Sequence, residues 1–162
     1  MKQTVPSGPN RDAIFRRILV VDDDEDVRYL CAEALGDHEV LQAENGRLAL
    51  LMQRQEPFDV ILTDVRMPEM TGLELLAAVK EKSPNQIVVV MTSFAEKKTV
   101  LKALKSQADD FIEKPIDMIQ VRAVVDRALE KQRLREELFH LKQMDRLKSD
   151  FLGLISHKLK TP

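Results

Sequence analysis

The chain has 162 residues, 44% of them hydrophobic, which is enough for one ordinary domain with a core and an appendage. Twenty-five basic against 27 acidic residues leave a net charge of -2. That balance excludes nucleic-acid binding by a broadly basic surface. The single cysteine, Cys31, rules out an internal disulfide and a thiolate zinc site and fits a reducing, cytoplasmic setting. No run of 18 apolar residues occurs, and Met1 to Arg17 has two prolines after Val5 and no apolar stretch. Neither a membrane span nor a signal peptide is therefore expected.

Charge is divided unevenly. Residues 1–115 hold 15 basic and 20 acidic groups, net -5, and residues 116–162 hold 10 and 7, net +3. Six of seven prolines and four of five glycines lie in the first part. After a flexible tail over 1–16, the elements run in a regular order. Ile18-Leu19-Val20-Val21 is a β-branched apolar run suited to a strand buried on both faces, and it ends in Asp22-Asp23-Asp24-Glu25-Asp26. Val27, Leu30, Cys31, Ala34 and Leu35 follow at helical spacing and stop at Gly36, which reads as a glycine-terminated helix. His38 to Ala43 is a second strand, and Arg47 to Arg54 its helix, closed before Pro57. Val60 to Asp64 is a third strand. A loop through Met67-Pro68 leads to a helix from Gly72 to about Lys82, with Thr71 and Glu74 as a capping box. Ile87 to Thr92 is a fourth strand, and Ser93 with Glu96 opens a fourth helix in the same manner. Asp110 to Glu113 is a short fifth strand ending at Lys114-Pro115, after which Asp117 and Gln120 cap a last helix.

Strands alternating with helices of this length predict parallel pairing through right-handed crossovers: a three-layer, doubly wound α/β fold with five strands. Ligands in such folds sit at the carboxyl ends of the strands. That is where the sequence places Asp22 and Asp23, Asp64, Thr92 and Lys114. Like charges 4 Å apart repel by about 4 kcal/mol at an effective dielectric of about 20, so three carboxylates in one place call for a hard divalent cation. Oxygen-only ligands favour Mg²⁺, with Mn²⁺ able to serve in its place. Metal, Lys114 and the Thr92 hydroxyl would stabilise a phosphoryl group in transfer, with one carboxylate as nucleophile.

Val20-Val21-Asp22-Asp23, Leu62-Thr63-Asp64-Val65-Arg66-Met67-Pro68 with Gly72, Met91-Thr92-Ser93 and Glu113-Lys114-Pro115 together resemble the receiver domain of two-component response regulators, over residues 17–129. The resemblance implies the flavodoxin-like strand order 2-1-3-4-5. It also implies that Asp64 accepts a phosphoryl group from phosphohistidine, and that Asp22, Asp23, Asp64 and the Arg66 carbonyl hold Mg²⁺. Thr92 and Lys114 would bind the phosphoryl oxygens, Phe111 would be a switch side chain that follows Thr92, and the Lys114-Pro115 bond would be cis. Simpler readings compete. Asp23 or Asp24 alone would serve as a helix cap. Asp22, Asp24, Asp26 and Glu33 match a calcium loop except that Val27 stands where glycine is needed. A haloacid-dehalogenase-type phosphatase would use Asp22 and Asp24 with Thr92 and Lys114, leaving Asp64 without a role.

Beyond the core-facing Val121, Val124, Val125, Ala128 and Leu129, an apolar stripe continues through Leu134, Leu138, Leu141, Met144, Leu147, Phe151, Ile155 and Leu159. Its steps average close to 3.6, predicting one helix from Asp117 to about Leu159, roughly 65 Å long. The stripe needs a partner, and the simplest is the same helix of a second chain in a homodimer. The final segment, Phe151 to Pro162, resembles the phosphoacceptor box of histidine kinases, with His157 as a second phosphoacceptor. Lys158 stands where that family has an acidic residue. His38 and His140 have no such surroundings and read as structural. Residues 130–162 are accordingly expected to be a coiled-coil-like linker and the start of a kinase dimerisation helix, in a piece of a longer hybrid kinase. Lacking an ATP-binding domain, this part would catalyse only its own aspartyl phosphorylation and dephosphorylation. No nucleic-acid or membrane contact is expected of it. The reading of a different class is a dimerisation module indifferent to phosphate.

Overall fold

A computed structural model describes residues 15–93, 95, 98, 101 and 107–160. In chain order the elements are β1 (Arg17–Val21), α1 (Glu25–Ala34), β2 (Glu39–Ala43), α2 (Gly46–Gln55), β3 (Val60–Asp64), α3 (Gly72–Lys82), β4 (Ile87–Thr92), β5 (Asp110–Glu113) and α4 (Met118–Lys160). The five strands form one parallel sheet ordered β2-β1-β3-β4-β5, as the alternating pattern predicts. Most of the tail, most of the helix expected from Ser93 and Glu96, and Thr161 and Pro162 lie outside the described residues.

The two faces of the sheet carry separate cores, because successive side chains on a strand point opposite ways. Leu19, Val21, Ile61, Val88 and Val90 pack with Leu75, Leu76 and Val79 of α3 and Ala49 of α2. Ile18, Val20, Val60, Leu62, Val89 and Met91 pack on the other face with Cys31 and Leu35 and with Val121, Val124, Val125 and Ala128 of α4. This two-sided burial explains why β1, β3 and β4 read as unbroken apolar runs.

Helix starts at Asp24, Thr71 and Asp117 match the sequence signals, and Asn45 adds a cap that was not expected. Asp24 caps α1 by accepting from the Asp26 N–H, Asn45 caps α2 by accepting from Leu48, and Thr71 caps α3 by accepting from Glu74. Asp117 accepts from Ile119 at the start of α4. Helix α1 stops where expected, just before Gly36, but without the left-handed glycine geometry expected there. Leu35 closes the helix through its N–H to the Cys31 carbonyl, and among the described residues no glycine has a positive φ. Leu35 is fully buried, so packing rather than a left-handed glycine ends that helix. The described left-handed residue is Glu69, φ 70°, in the Met67-Pro68 loop. His38 is structural, as expected: its Nδ1 accepts from the Arg16 N–H.

Helix α4 runs unbroken for 43 residues, about 64 Å. Its first third packs on the sheet. From Leu134 onward its large apolar side chains are exposed, including Leu138, Leu141, Phe151 and Leu159. No described helix is long and apolar enough to cross a membrane.

Candidate functional site

Parallel pairing aligns the carboxyl ends of β1, β3, β4 and β5, and four of the five cluster residues are delivered there by backbone alone. Asp22 follows β1, Asp64 closes β3, Thr92 closes β4 and Lys114 follows β5. Asp22, Asp64 and Thr92 are buried, whereas Asp23 is exposed at the rim. Carboxylate oxygens of Asp22, Asp23 and Asp64 lie within 4.8 Å of one another. The Lys114 ammonium bridges the two buried ones, 3.0 Å from Asp22 Oδ2 and 3.1 Å from Asp64 Oδ1. Backbone N–H groups complete the first contacts: Asp24 donates to Asp22 Oδ1 and Val65 to Asp64 Oδ1, each at 2.9 Å.

Burial against a sheet makes these charges costly. Desolvation, with the nearby Asp64 charge adding to it, pushes the Asp22 carboxyl up to about 6 despite the Asp24 N–H and Lys114. Asp64 is likewise raised by burial, with Lys114 opposing. Burial disfavours the Lys114 ammonium, but Asp22 and Asp64 outweigh it and hold its proton more tightly than usual. One ammonium among three carboxylates leaves the pole net negative. That deficit and the all-oxygen donor set fit a hard divalent cation, with Asp22, Asp23 and Asp64 as protein ligands and water to spare.

The remaining expected residues are placed less fully. Thr92 donates its hydroxyl to the Ser93 carbonyl, 3.2 Å, and so is held at the edge of the pole. Phe111, on β5 beside Val90, is half-buried against the α2–α3 core. Arg66 is exposed in a shallow groove with Asp23, Met67, Pro68 and Thr71. The Lys114-Pro115 bond is cis. The calcium-loop match, already broken at Val27, gains no support: among the described residues the acidic group that converges is Asp22, Asp23 and Asp64, while Asp24 is spent on capping α1. Cys31, its thiol pushed up to about 12 by burial, is inert core.

One contributor escaped the sequence reading, and the role of a second is seen only in the structure. The Arg28 guanidinium donates to the Asp22 carbonyl at 2.7 Å and to Gln42 at 3.3 Å, tying α1 and β2 to the strand end that carries the acid pair. No spacing rule marks it. Gly72 was noticed as part of a motif, but its reason is steric: a Cβ there would lie 1.9 Å from the Asp64 carbonyl oxygen. Its N–H donates to the Val65 carbonyl at 2.9 Å, so α3 begins in direct contact with the backbone of Asp64 and Val65.

A family model of the response regulator receiver domain matches residues 18–126. The chain belongs to that family. As a receiver, it is part of two-component phosphorelay, in which an aspartate takes a phosphoryl group from a histidine kinase. Receivers also bind Mg²⁺ at an acidic cluster, and the phosphatase alternative is set aside. The receiver is 40% identical over 131 residues to the regulatory protein AtoC of Escherichia coli strain K12, covering 80% of this chain and 28% of that protein. It is 30% identical over 138 residues to the DNA-binding transcriptional regulator NtrC of Proteus hauseri, covering 84% and 29%. The crystal structure of the receiver domain of NtrX from Brucella abortus superposes with a TM-score of 0.66 at 34% identity, covering 70% of this chain and 98% of that one. This chain spans about a quarter to a third of the length of the curated relatives it matches. Those relatives include transcription regulators, so the expectation of no nucleic-acid partner does not extend to whole proteins of this family.

Proposed function

We propose that Asp64 is the phosphoacceptor, using Mg²⁺ held by Asp22, Asp23, Asp64 and the Arg66 carbonyl. The observation that carries this is the Lys114 ammonium set between Asp22 and Asp64, at 3.0 and 3.1 Å, with both carboxylates buried at the strand ends. An Asp64 oxygen attacks the phosphorus of a donor phosphohistidine, the P–N bond breaks, and the imidazole leaves. The cation, when bound, neutralises charge on the phosphoryl oxygens. Lys114 pairs with one of those oxygens, and the Thr92 hydroxyl, on turning from the Ser93 carbonyl, donates to another. Phe111 then moves with Thr92, shifting a two-state equilibrium.

The test is mass spectrometry after exposure to acetyl phosphate with Mg²⁺, where the acetate ion is the leaving group. One phosphoryl group is gained by the parent chain and none by Asp64→Asn. Acceptance that survives Asp64→Asn but dies with Asp22→Asn would sink the assignment. No gain at all would favour a module indifferent to phosphate.

The exposed apolar residues of α4 support a second component, a homodimer whose helices bury that stripe, within a receiver at 17–129 and an output helix at 130–162. In a hybrid kinase His157 would be a further phosphoacceptor. It lies 39 residues, about 58 Å, along the helix from Met118, a span that supports a donor to Asp64 other than the His157 of its own chain. Light scattering decides the dimer: a monomer at micromolar concentration refutes it.

A further inference from the structure

Helix α4 is pinned to the sheet at a place the phosphorylation pole does not touch. Asp109 lies just before β5 with its side chain only 5% exposed. Its Oδ2 accepts from the Val88 N–H at the start of β4 and from Lys80 of α3, both at 2.9 Å. Its Oδ1 faces α4, 3.5 Å from Lys131 and 3.7 Å from Arg135. The next residue repeats the arrangement. Asp110 Oδ1 accepts from the Phe111 N–H at 2.8 Å, and its Oδ2 takes the Arg127 guanidinium at 2.6 and 2.8 Å. Each carboxylate thus has one oxygen on the backbone of β4 or β5 and the other on the helix.

Arg127, Lys131 and Arg135 are spaced by four and form one ridge on α4. They lie beyond the residues that match the receiver family, which end at 126. The two strands they reach are those that end in Thr92 and carry Phe111 and lead into Lys114. Any shift of β4 against β5 therefore changes the distance from Asp109 and Asp110 to the ridge. Ion pairs at an exposed surface contribute little singly. Here the Asp109 carboxylate is buried, and three cations meet it.

We infer that Asp109 and Asp110 are positioning residues that couple the state of Asp64 to the outgoing helix through Arg127, Lys131 and Arg135. The inference rests on the reading of Asp64 given above and names the joint through which that site acts. The clamp extends the rigid receiver to Arg135, so the helix moves as a lever whose angle is set at the entrance of β4 and β5.

Hydrogen exchange read by mass spectrometry, with and without acetyl phosphate and Mg²⁺, tests this on the whole chain. In the parent, protection of residues 126–136 changes at least threefold on phosphorylation. In Asp109→Asn with Asp110→Asn, which keeps oxygens for the Val88 and Phe111 N–H groups, the phosphoryl group is still gained and that change is lost. Arg127→Met with Lys131→Met and Arg135→Met removes only the helix side, and gives the same result if the first variant folds poorly. A phosphorylated parent with no change over 126–136, or a state-dependent change that persists in the variants, overturns the coupling. Absence of any phosphoryl gain in the parent overturns the reading of Asp64, and the coupling falls with it.

Discussion

Gly72→Ala is the most direct probe of how the fold holds Asp64. The new Cβ would stand 1.9 Å from the Asp64 carbonyl oxygen, 2.8 Å from its carbonyl carbon and 3.1 Å from the Val65 Cα, all backbone atoms of the strand end. Reaching an ordinary contact of about 3.4 Å requires some 1.5 Å of separation between α3 and β3. Helix α3 carries Leu75, Leu76 and Val79 in the core, so its retreat loosens three buried side chains at once. Forced overpacking costs about 1–3 kcal/mol, occasionally more, and the absence of any flexible side chain to yield puts this case at about 3 kcal/mol or above. Denaturant unfolding of parent and variant measures it, and phosphoryl gain from acetyl phosphate should fall alongside. Gly153→Ala is the counterpart: nothing lies within 4 Å of its Cβ, and relief of a helix-interior glycine should stabilise α4 by about 0.5–1 kcal/mol. A Gly72→Ala protein within about 0.5 kcal/mol of the parent would refute the steric argument.

Three further outcomes follow from the charges. Asp22 sits at about 6 when folded against an ordinary 3.8, so its contribution is fully present below pH 3.8 and is lost as pH rises through 6, by at most about 3 kcal/mol. In EDTA, the parent's stability relative to Asp22→Asn should decline between pH 4 and 7, and a flat difference would contradict it. Divalent cations compete with that proton, so Mg²⁺ should raise the melting temperature at pH 7.5 and much less at pH 5; equal shifts at both would place the ion elsewhere. Lys114→Met leaves two buried carboxylates facing each other and should cost about 2 kcal/mol at pH 8 without metal, discounted for partial exposure. That penalty should shrink at pH 5, below the value of about 6 to which the Asp22 carboxyl is raised, and unfolding midpoints at the two pH values will show whether it does.

Much of the site was legible because its residues are appended to strands whose identity is local. Ile18–Val21, Val60–Leu62 and Ile87–Met91 are apolar enough to be buried on both faces, and residues that close parallel strands meet at one end of the sheet whatever the loops do. The same logic made α4 readable as one helix past Leu129. The end of α1 was legible in place, just before Gly36, but not in kind: no left-handed glycine forms there, and the burial of Leu35 depends on a sheet that a local pattern does not contain.

By itself, then, the sequence determined the alternation of elements, the parallel sheet and the gathering of Asp22, Asp64, Thr92 and Lys114 at its carboxyl end. Only the tertiary structure decided how closely Lys114 bridges Asp22 and Asp64, that Arg28 holds the Asp22 carbonyl, why residue 72 has no side chain, and that Asp109 and Asp110 grip Arg127, Lys131 and Arg135. Periodicity is a property of neighbours along the chain. These contacts join residues 6 to 92 positions apart, and their distances depend on the rotation and depth at which each helix settles on the sheet.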